Sequence, residues 1–437
     1  MEIVSILEDL IYQIYFAFRF RILYSITSYK TLPFFLTVSK SLIEDSFSSS
    51  VSFNLDTIYL NWNSTFPAIT VCEIYNAEKI WDLSDVQFGV EHKMYIDDII
   101  SEIVFFRGIC SSCENCIKNN CPDNFTLLLD VFRSKCHELI IKCSYLNELF
   151  DCCEQFLPIP TEYGVCYSFN SHQARKVPQV QYMNNRITGA GHLEFHALAD
   201  IQLYVHAPID LPFQFSEGMV RETVLLGHYK ELILNVIEVY NHDSVQDLSM
   251  EQRRCRYSHE HVPGRTGIYE FYSYSACVVE CTVALQLLHC NCTSHFMAVP
   301  GTNTLPVCDY QGLVCLTQTN EKLMAERKSC DCMSSCEEPE YNIIYNSEDD
   351  DHDAENDDST IHVALVELPT QRYVRRVTKT VLDLLISVGG LVGLFFNYSV
   401  LRLVETFYLI RRYRKTIFKW IKQIWFGTTK YLQCSKQ

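Results

Sequence analysis

Cysteine is the residue type in this sequence whose number and spacing most directly indicate chemistry. The chain contains 21 cysteines; 20 lie between Cys72 and Cys336, and Cys434 falls in a basic tail. The run Cys110-x2-Cys113-x2-Cys116-x4-Cys121 has the spacing of zinc or iron–sulfur ligands in a cytosolic protein. An even number of cysteines confined to one segment is instead typical of disulfides formed in an oxidising compartment. We therefore predict disulfides here, with no metal site and no cofactor.

Three glycosylation sequons lie in the same segment and agree with an extracellular location. Asn63-Ser-Thr, Asn124-Phe-Thr and Asn291-Cys-Thr each predict a glycosylated surface asparagine. A fourth match, Asn397-Tyr-Ser, lies inside an apolar stretch where glycosylation is excluded. The N-terminus is acidic and no cleavage site follows an apolar run, so we expect no cleavable signal peptide.

A second cysteine cluster, from Cys277 to Cys336, predicts a cross-linked helix. The stretch 278–289 is the better helical segment, and on a helix Cys277 and Cys281 lie on one face a turn apart. They could be joined to a returning strand that carries Cys330 and Cys332. Such crosslinks stiffen a segment that transmits force or movement, or they only stabilise a small core.

The sequence predicts that short strands and loops hold these cysteines in position. β-branched and aromatic runs predict strands at residues 66–72, 163–170, 201–207 and 232–240. We therefore interpret residues 44–371 as one α+β extracellular domain. The acidic run at 347–358 predicts a solvated, mobile loop, with a cation-concentrating or calcium-binding loop as the alternative. It lacks the spacing of an EF-hand.

An apolar stretch at residues 381–410 predicts a membrane-spanning helix. Its centre, from Leu384 to Leu401, is 18 residues without a charge, about the length needed to cross a ~30 Å hydrocarbon core. Residues 411–437 carry eight Lys or Arg and no acid, which indicates a cytoplasmic tail, whereas residues 337–371 carry twelve acids and no base. A buried helix of a soluble protein is the alternative. Four bases, Arg372, Arg375, Arg376 and Lys379, are discordant because this interpretation places them just outside the membrane.

A first membrane segment is less well defined. Residues 10–26 are apolar but carry Arg19 and Arg21, and residues 31–43 contain Pro33 and Lys40. We expect residues 1–21 to be a short cytoplasmic N-terminus and residues 22–43 to be the first crossing. Either this crossing is marginal, or this copy of the chain has lost part of it.

Charge and motifs exclude several function classes. The net charge is −17 and the basic residues form no groove, so nucleic acid is not an expected partner. The sequence has no G-x-S-x-G or H-E-x-x-H signature, so we do not expect an enzyme. All 14 histidines lie between His92 and His362, and scattered surface histidines are favoured over a proton sensor.

Several motifs in one order resemble the epithelial sodium channel/degenerin family, and within it the insect pickpocket branch. FPAITVC (66–72), TEYGVCYSFN (161–170), YSYSACVVEC (272–281) with CNC (290–292), and CDCMSSC (330–336) resemble its extracellular motifs. SVGGLVGLFFNYSVLRLVE (387–405) resembles its second membrane helix. The resemblance implies an α+β membrane protein in which two transmembrane helices flank a large disulfide-rich extracellular domain with a β core and a helical thumb.

The resemblance also implies particular disulfides and pore residues. The implied pairs are Cys255–Cys336, Cys277–Cys332, Cys281–Cys330, Cys290–Cys315, Cys292–Cys308 and Cys72–Cys166, with Cys143 bonded to Cys152 or Cys153. The implied selectivity filter is Asn397, Tyr398 and Ser399, where the family has Gly/Ser-x-Ser, and the implied pore and gating residues are Ile386, Gly389, Gly390, Gly393, Arg402 and Glu405. Arg402 either faces the lumen, neutralised by Glu405, or turns away from it. The family's His-Gly pair before the first membrane helix is absent.

The function that the resemblance implies is a subunit of a sodium-selective, voltage-independent, amiloride-sensitive cation channel gated through its extracellular domain. The expected partners are sodium ions, membrane lipid and related subunits in a homo- or hetero-trimer. The expected location is the plasma membrane, with both termini cytoplasmic. The alternative is a non-conducting accessory subunit, or a single-pass disulfide-rich receptor if the first segment does not insert.

Overall fold

The computed structural model describes most of the cysteine-rich segment and part of each flank. The described residues are 33–44, 51–58, 61–89, 94–117, 121–174, 181–214, 219–260, 262, 267–297, 305–350, 358–378 and 381–396, with residues 404, 408 and 411. Residues 53–376 form one compact unit, and the described residues outside that range belong to a second unit.

The strands of the described residues are β1 (Val51–Asp56), β2 (Ser64–Thr65), β3 (Ala68–Glu73), β4 (Ile140–Tyr145), β5 (Glu148–Phe150), β6 (Leu157–Thr161), β7 (Gly164–Phe169), β8 (Met183–Asn184), β9 (His192–Ala197), β10 (Ile201–His206), β11 (Val220–Val224), β12 (His228–Ile237), β13 (Val239–Asn241), β14 (Glu340–Asp350), β15 (Ser359–Leu365) and β16 (Arg372–Val377).

The helices of the described residues are α1 (33–44), α2 (Ala77–Phe88), α3 (Met94–Val104), α4 (Cys113–Cys116), α5 (Phe125–Phe132), α6 (Cys136–Leu139), α7 (Cys152–Gln155), α8 (Met250–Arg253), α9 (Tyr274–Cys290), α10 (Tyr310–Arg327) and α11 (Val381–Phe396). Two 3-10 turns span Asp243–Val245 and His295–Met297.

Two sheets pack face to face over one apolar core. One sheet has the order β14-β12-β15-β9-β4-β5 and the other has the order β11-β10-β3-β7-β6. Buried and half-buried residues alternate along β9 and β15, as expected for strands with one face in a core, whereas every residue of β3 and β10 is buried. The core includes Phe169, Phe195 and Leu203. The buried strand β3 thus forms the centre of the domain.

A second core lies among the helices. Apolar side chains of α2, α3, α5, α9 and α10 pack together with the cysteines of the run at 110–121. The side chain of Ser273 accepts a hydrogen bond from Ala276 N and begins α9, and Asn291, with a left-handed φ of 58°, ends it. The described residues of the segment 44–371 are therefore a disulfide-rich α+β domain, which confirms that part of the predicted fold class.

The acidic run differs from the predicted loop at both of its ends. Residues 347–350 continue β14, where Glu348 pairs at 3.0 Å with the buried Lys230 of β12. Asp358 is 3% exposed and accepts hydrogen bonds from Lys142 and His196, at 2.9 and 3.2 Å. The loop prediction is wrong for these residues, because Lys230, Lys142 and His196 on neighbouring strands pair with the acids. Residues 351–357 lie outside the described residues.

The predicted membrane segments are described only in part. The predicted helix at 381–410 is described as α11, which has 16 residues, and its continuation lies outside the described residues. The predicted first crossing at 22–43 is described from residue 33 onward, in α1. No helix among the described residues is both long and apolar enough to cross a membrane.

Gly191 gives a test of the packing between strands β4, β8 and β9. A Cβ atom at this position would lie 2.5 Å from Asn184 Oδ1 and 2.8 Å from the Phe66 ring. We expect Gly191→Ala to lower the free energy of unfolding by about 1–3 kcal/mol, because the surrounding core must shift. The measurement is denaturant unfolding of the detergent-solubilised chain. Gly390→Ala, where no described atom lies within 4 Å of the added methyl group, should leave this transition unchanged.

Candidate functional site

Five disulfides lie in and around the helix pair of α9 and α10. Cys277–Cys332 and Cys281–Cys330 fasten one face of α9 to that segment, with Cα–Cα distances of 5.8 and 6.3 Å. Three further bonds complete the series: Cys290–Cys315, Cys292–Cys308 and Cys255–Cys336. All five are pairs that the resemblance implies. The helix pair is thus cross-linked along its length, and it has little freedom to bend.

The segment that carries Cys330 and Cys332 is not the predicted returning strand. Residues 330–334 have no regular secondary structure, and a single bridge joins Ser335 to Arg256. Its conformation depends on the disulfides and on isolated hydrogen bonds, such as that from the Tyr272 hydroxyl to the Met333 carbonyl, at 2.5 Å. The strand prediction was wrong because no second strand is available to pair with this segment.

The remaining disulfides lie in the sheets and in the cysteine run. Cys72–Cys166 joins the central strand β3 to β7. Cys143 bonds to Cys152, and the neighbouring Cys153 bonds to Cys136. The run forms the local pairs Cys110–Cys113 and Cys116–Cys121. Within the described residues, no group of His, Cys, Asp and Glu is arranged to hold a metal ion.

His295 connects the helix pair to α3. Its Nε2–H donates to the Ile103 carbonyl oxygen at 2.8 Å, and its ring lies against the rings of Phe106 and Phe125. Burial lowers the pKa of His295 to about 4, although the hydrogen bond to the Ile103 carbonyl opposes the shift. The imidazole is therefore neutral at physiological pH and acts as a packed hydrogen-bond donor.

Strand β16, which precedes α11 in sequence, is anchored by an ion pair. The guanidinium of Arg372 donates to Glu238 Oε2 from Nη2 at 2.5 Å and from Nε at 2.8 Å, and it lies 4.3 Å from the centroid of the Trp62 ring. Both charged side chains are mostly buried, so this pair is screened less than a surface pair. Tyr373 N also donates to the Glu238 carbonyl oxygen at 2.9 Å. The start of β16 is held firmly to the segment before β13.

Arg375 anchors the same strand three residues further on. Its side chain is buried, and Nη1 donates to Sγ of Cys255, which is bonded to Cys336. The guanidinium lies 5.0 Å from the centroid of the Phe53 ring. Of the four bases that were discordant on a membrane interpretation, Arg376 is exposed and Lys379 lies outside the described residues, but Arg372 and Arg375 are largely buried. They are the functional candidates that the sequence pattern missed, and their only signal was an unexplained cluster of bases in an acidic segment.

The predicted pore residues are only partly described. Ile386, Gly389, Gly390 and Gly393 lie on α11, and the Ile386 side chain is exposed. Three predicted filter residues and two charged pore residues lie outside the described residues: Asn397, Tyr398, Ser399, Arg402 and Glu405.

The three sequon asparagines are exposed, as the predicted modification requires. Asn124 Oδ1 accepts from Leu127 N at the start of α5, and Asn63 Oδ1 accepts from Asn185 at 3.3 Å. Glycosylation itself stays a prediction.

The family model for the amiloride-sensitive sodium channel matches residues 12–409. The chain belongs to this family. Its relatives include the sodium channel protein Nach of Drosophila virilis, which is 26% identical over 65% of this chain and 79% of that protein. Pickpocket protein 19 of Drosophila melanogaster is 22% identical over 65% of this chain and 62% of that protein. These matches place the chain in the epithelial sodium channel/degenerin family, with the insect pickpocket branch.

Two further comparisons are more distant. Degenerin del-1 of Caenorhabditis elegans is 21% identical over 63% of this chain and 44% of that degenerin. The match therefore spans less than half of this relative. A solved structure of a proton-activated chloride channel aligns with 89% of this chain and 96% of the channel's own chain, at 8% sequence identity. The TM-score of 0.29 is too low to assign a shared fold.

Because His295 is buried, we predict that the folded protein becomes less stable in acid. Between its unfolded-state pKa of about 6.5 and its folded-state pKa of about 4, the unfolded chain binds a proton that the folded chain does not. Its contribution should therefore lower the free energy of unfolding by about 2 kcal/mol between pH 7.5 and pH 5. The variant His295→Gln keeps a hydrogen-bond donor for the Ile103 carbonyl oxygen. In denaturant unfolding experiments it should lose this pH-dependent part of the free energy of unfolding. His137→Gln, at a solvent-exposed side chain, is the control, and an equal effect of both variants would contradict the assignment.

The Arg372–Glu238 pair predicts a strong coupling energy. Arg372→Ala and Glu238→Ala should each destabilise the protein, because each leaves a mostly buried charge without its partner. The double variant should lose less than the sum of the two, with a coupling energy of about 1–3 kcal/mol by denaturant unfolding. Arg376→Ala, at the exposed neighbouring arginine, should change stability by less than about 0.5 kcal/mol. Additive effects of the two single variants would refute the coupling.

Proposed function

We propose that the chain is a subunit of a sodium-selective, voltage-independent and amiloride-sensitive cation channel that is gated through its disulfide-rich domain. The observation that carries this proposal is the anchoring of β16. Arg372 and Arg375 fix this strand to Glu238 and to the Cys255–Cys336 disulfide, nine and six residues before α11 begins at Val381. A strand held this firmly transmits a displacement of the domain to the segment that follows it.

The proposed topology has two crossings. Residues 22–43 and 381–410 cross the plasma membrane, residues 44–371 are extracellular, and residues 1–21 and 411–437 are cytoplasmic. The eight bases and absent acids of residues 411–437 support a cytoplasmic tail. Ten disulfides in the extracellular segment and three exposed sequon asparagines support its oxidising surroundings. Three such subunits, identical or related, surround one pore.

In the proposed pore, Asn397, Tyr398 and Ser399 of each subunit coordinate sodium. Backbone carbonyls at this depth replace the hydration shell of the ion, which is possible only where the backbone lines a water-filled path. Gly389, Gly390 and Gly393 allow the helices to approach closely. Exposed acids of the segment 337–371, such as Asp349 and Asp350, raise the local cation concentration at the outer surface.

A non-conducting accessory subunit is the second candidate. Asn397 replaces the small residue of the family's filter, and Arg402 places a positive charge about one turn below it. A cation facing the lumen would repel sodium unless Glu405 neutralised it. Such a subunit would still assemble with conducting relatives and modify their gating.

Whole-cell recording of cells that express this chain alone tests the proposal. We expect an inward sodium current that is blocked by amiloride and disappears when external sodium is replaced by a large organic cation. Ser399→Arg should reduce this current at least tenfold at equal surface expression, because a positive side chain enters the filter.

Ser111→Arg, at an exposed position of the disulfide-rich domain, is the matched control and should leave the current unchanged. Glycosylated protein at the surface without current would refute the homomeric channel. Co-expression with a conducting relative would then show whether the chain alters that relative's current, as an accessory subunit should.

A further inference from the structure

The two packed sheets end in four edge strands, and three of these edges are poorly suited to pair with another chain. An edge strand exposes backbone N–H and C=O groups that can pair with a strand of a second polypeptide. Strand β5 has only 3 residues and β11 has only 5. Strand β6 contains Pro158 and Pro160, and proline removes a backbone donor. Short strands and prolines are features by which proteins protect their sheet edges.

Strand β14 is the fourth edge, and it has neither of these features. It is 11 residues long, contains no proline and pairs with β12 along its length. One register shift, opposite Ile233 and Leu234, interrupts this pairing. Among the described residues, no strand pairs with the other edge of β14. Ile344 and Tyr345, near its centre, are 57% and 50% exposed. The strand therefore presents a long backbone edge to solvent.

Contacts near both ends of β14 hold the strand in place. Tyr341 is 5% exposed, and its hydroxyl donates to the Thr65 carbonyl oxygen at 3.0 Å. Further along, Glu348 accepts from Nζ of the buried Lys230 at 3.0 Å, and Lys230 also pairs with Glu222 of β11. A strand that is already fixed in its extended conformation loses little conformational entropy when a partner pairs with it.

The side chains along this edge are acidic and aromatic. Glu340 and Asp349 are exposed, and residues 337–371 contain no Lys or Arg. Tyr345, Ser347 and Asp349 lie on one face of the strand, at a spacing of two residues. An added strand would place its own side chains directly beside them. The acids disfavour an acidic strand, including a second copy of β14, and favour one that carries lysine or arginine.

We propose that β14 binds an extended basic segment of a partner polypeptide, which adds a strand to the six-stranded sheet. The backbone of the segment pairs with the exposed edge of β14, and its lysine or arginine side chains lie beside Asp349 and the ring of Tyr345. An acidic segment would gain the same backbone pairing but would be repelled by the carboxylates. The inference does not depend on ion conduction, because binding is a property of the purified chain.

Fluorescence anisotropy with the purified full chain in detergent tests the proposal. The probe is the fluorescein-labelled peptide Lys-Val-Lys-Val-Lys-Val-Lys. One control peptide has proline in place of each valine, which keeps the charge and prevents strand pairing. A second control has glutamate in place of each lysine, which keeps the alternation and reverses the charge. We expect saturable binding of the probe at neutral pH and at least tenfold weaker binding of both controls.

Hydrogen–deuterium exchange and a pair of variants locate the site. The probe should slow the exchange of backbone amides within residues 340–350, because those that face away from β12 become donors to the peptide. It should leave the amides of α10 unchanged. Asp349→Lys should weaken binding of the probe at least threefold and strengthen binding of the glutamate peptide. Asp247→Lys, at an exposed acid outside the two sheets, should do neither.

Three results of these experiments would overturn the proposal. They are the absence of saturable probe binding, a proline peptide that binds as tightly as the probe, and slowed exchange only outside residues 340–350. The second result would show that charge alone attracts the peptide. Amides of β14 that all exchange slowly before any peptide is added would also overturn it, since a second copy of the chain, or another part of the same chain, would then already pair with this edge.

Discussion

The structure depends on covalent crosslinks between segments that are far apart in the chain. Cys72–Cys166 and Cys255–Cys336 close sequence separations of 94 and 81 residues. In the chain-entropy model, a crosslink of this length removes about 4 kcal/mol of unfolded-state entropy. These bonds fasten the central strand of one sheet and the base of the helix pair. The crosslinks add to the second apolar core, which the helices form among themselves.

This constraint explains how the helix pair and the sheets act together. The helix α9 is fixed to an irregular segment by two disulfides, and that segment ends at Cys336, beside Arg375 on β16. The helix pair is therefore connected to β16 through covalent bonds and one buried guanidinium.

Buried charged side chains are the second feature that stabilises the domain. Lys230, Asp358, Arg372 and Arg375 are all largely removed from water, and removing one partner of a buried ion pair is strongly destabilising. Three of these four have carboxylate or cation partners within 3.2 Å. Arg375 differs, because its Nη1 donates to the sulfur of Cys255 and its Nε has no hydrogen-bond partner among the described residues.

The sequence by itself determined the features that are set locally. Cysteine number and sequons indicated disulfides, β-branched and aromatic runs located β3, β7, β10 and β12 to within a few residues, and the helical stretch at 278–289 located most of α9. The resemblance supplied the order of the long-range cysteine pairs, which sequence spacing leaves open.

Only the tertiary structure decided which charges are buried and which cysteines of the run at 110–121 pair with each other. The acids at 347–350 became a strand because Lys230 lies opposite Glu348, and Asp358 became buried because Lys142 and His196 meet it from neighbouring strands. Arg372 and Arg375 of β16 are largely buried because Glu238 and the Cys255 sulfur accept their hydrogen bonds, whereas Arg376 is exposed. The burial of these charges depends on partners more than a hundred residues away, and a pattern of neighbouring residues carries no information about such partners.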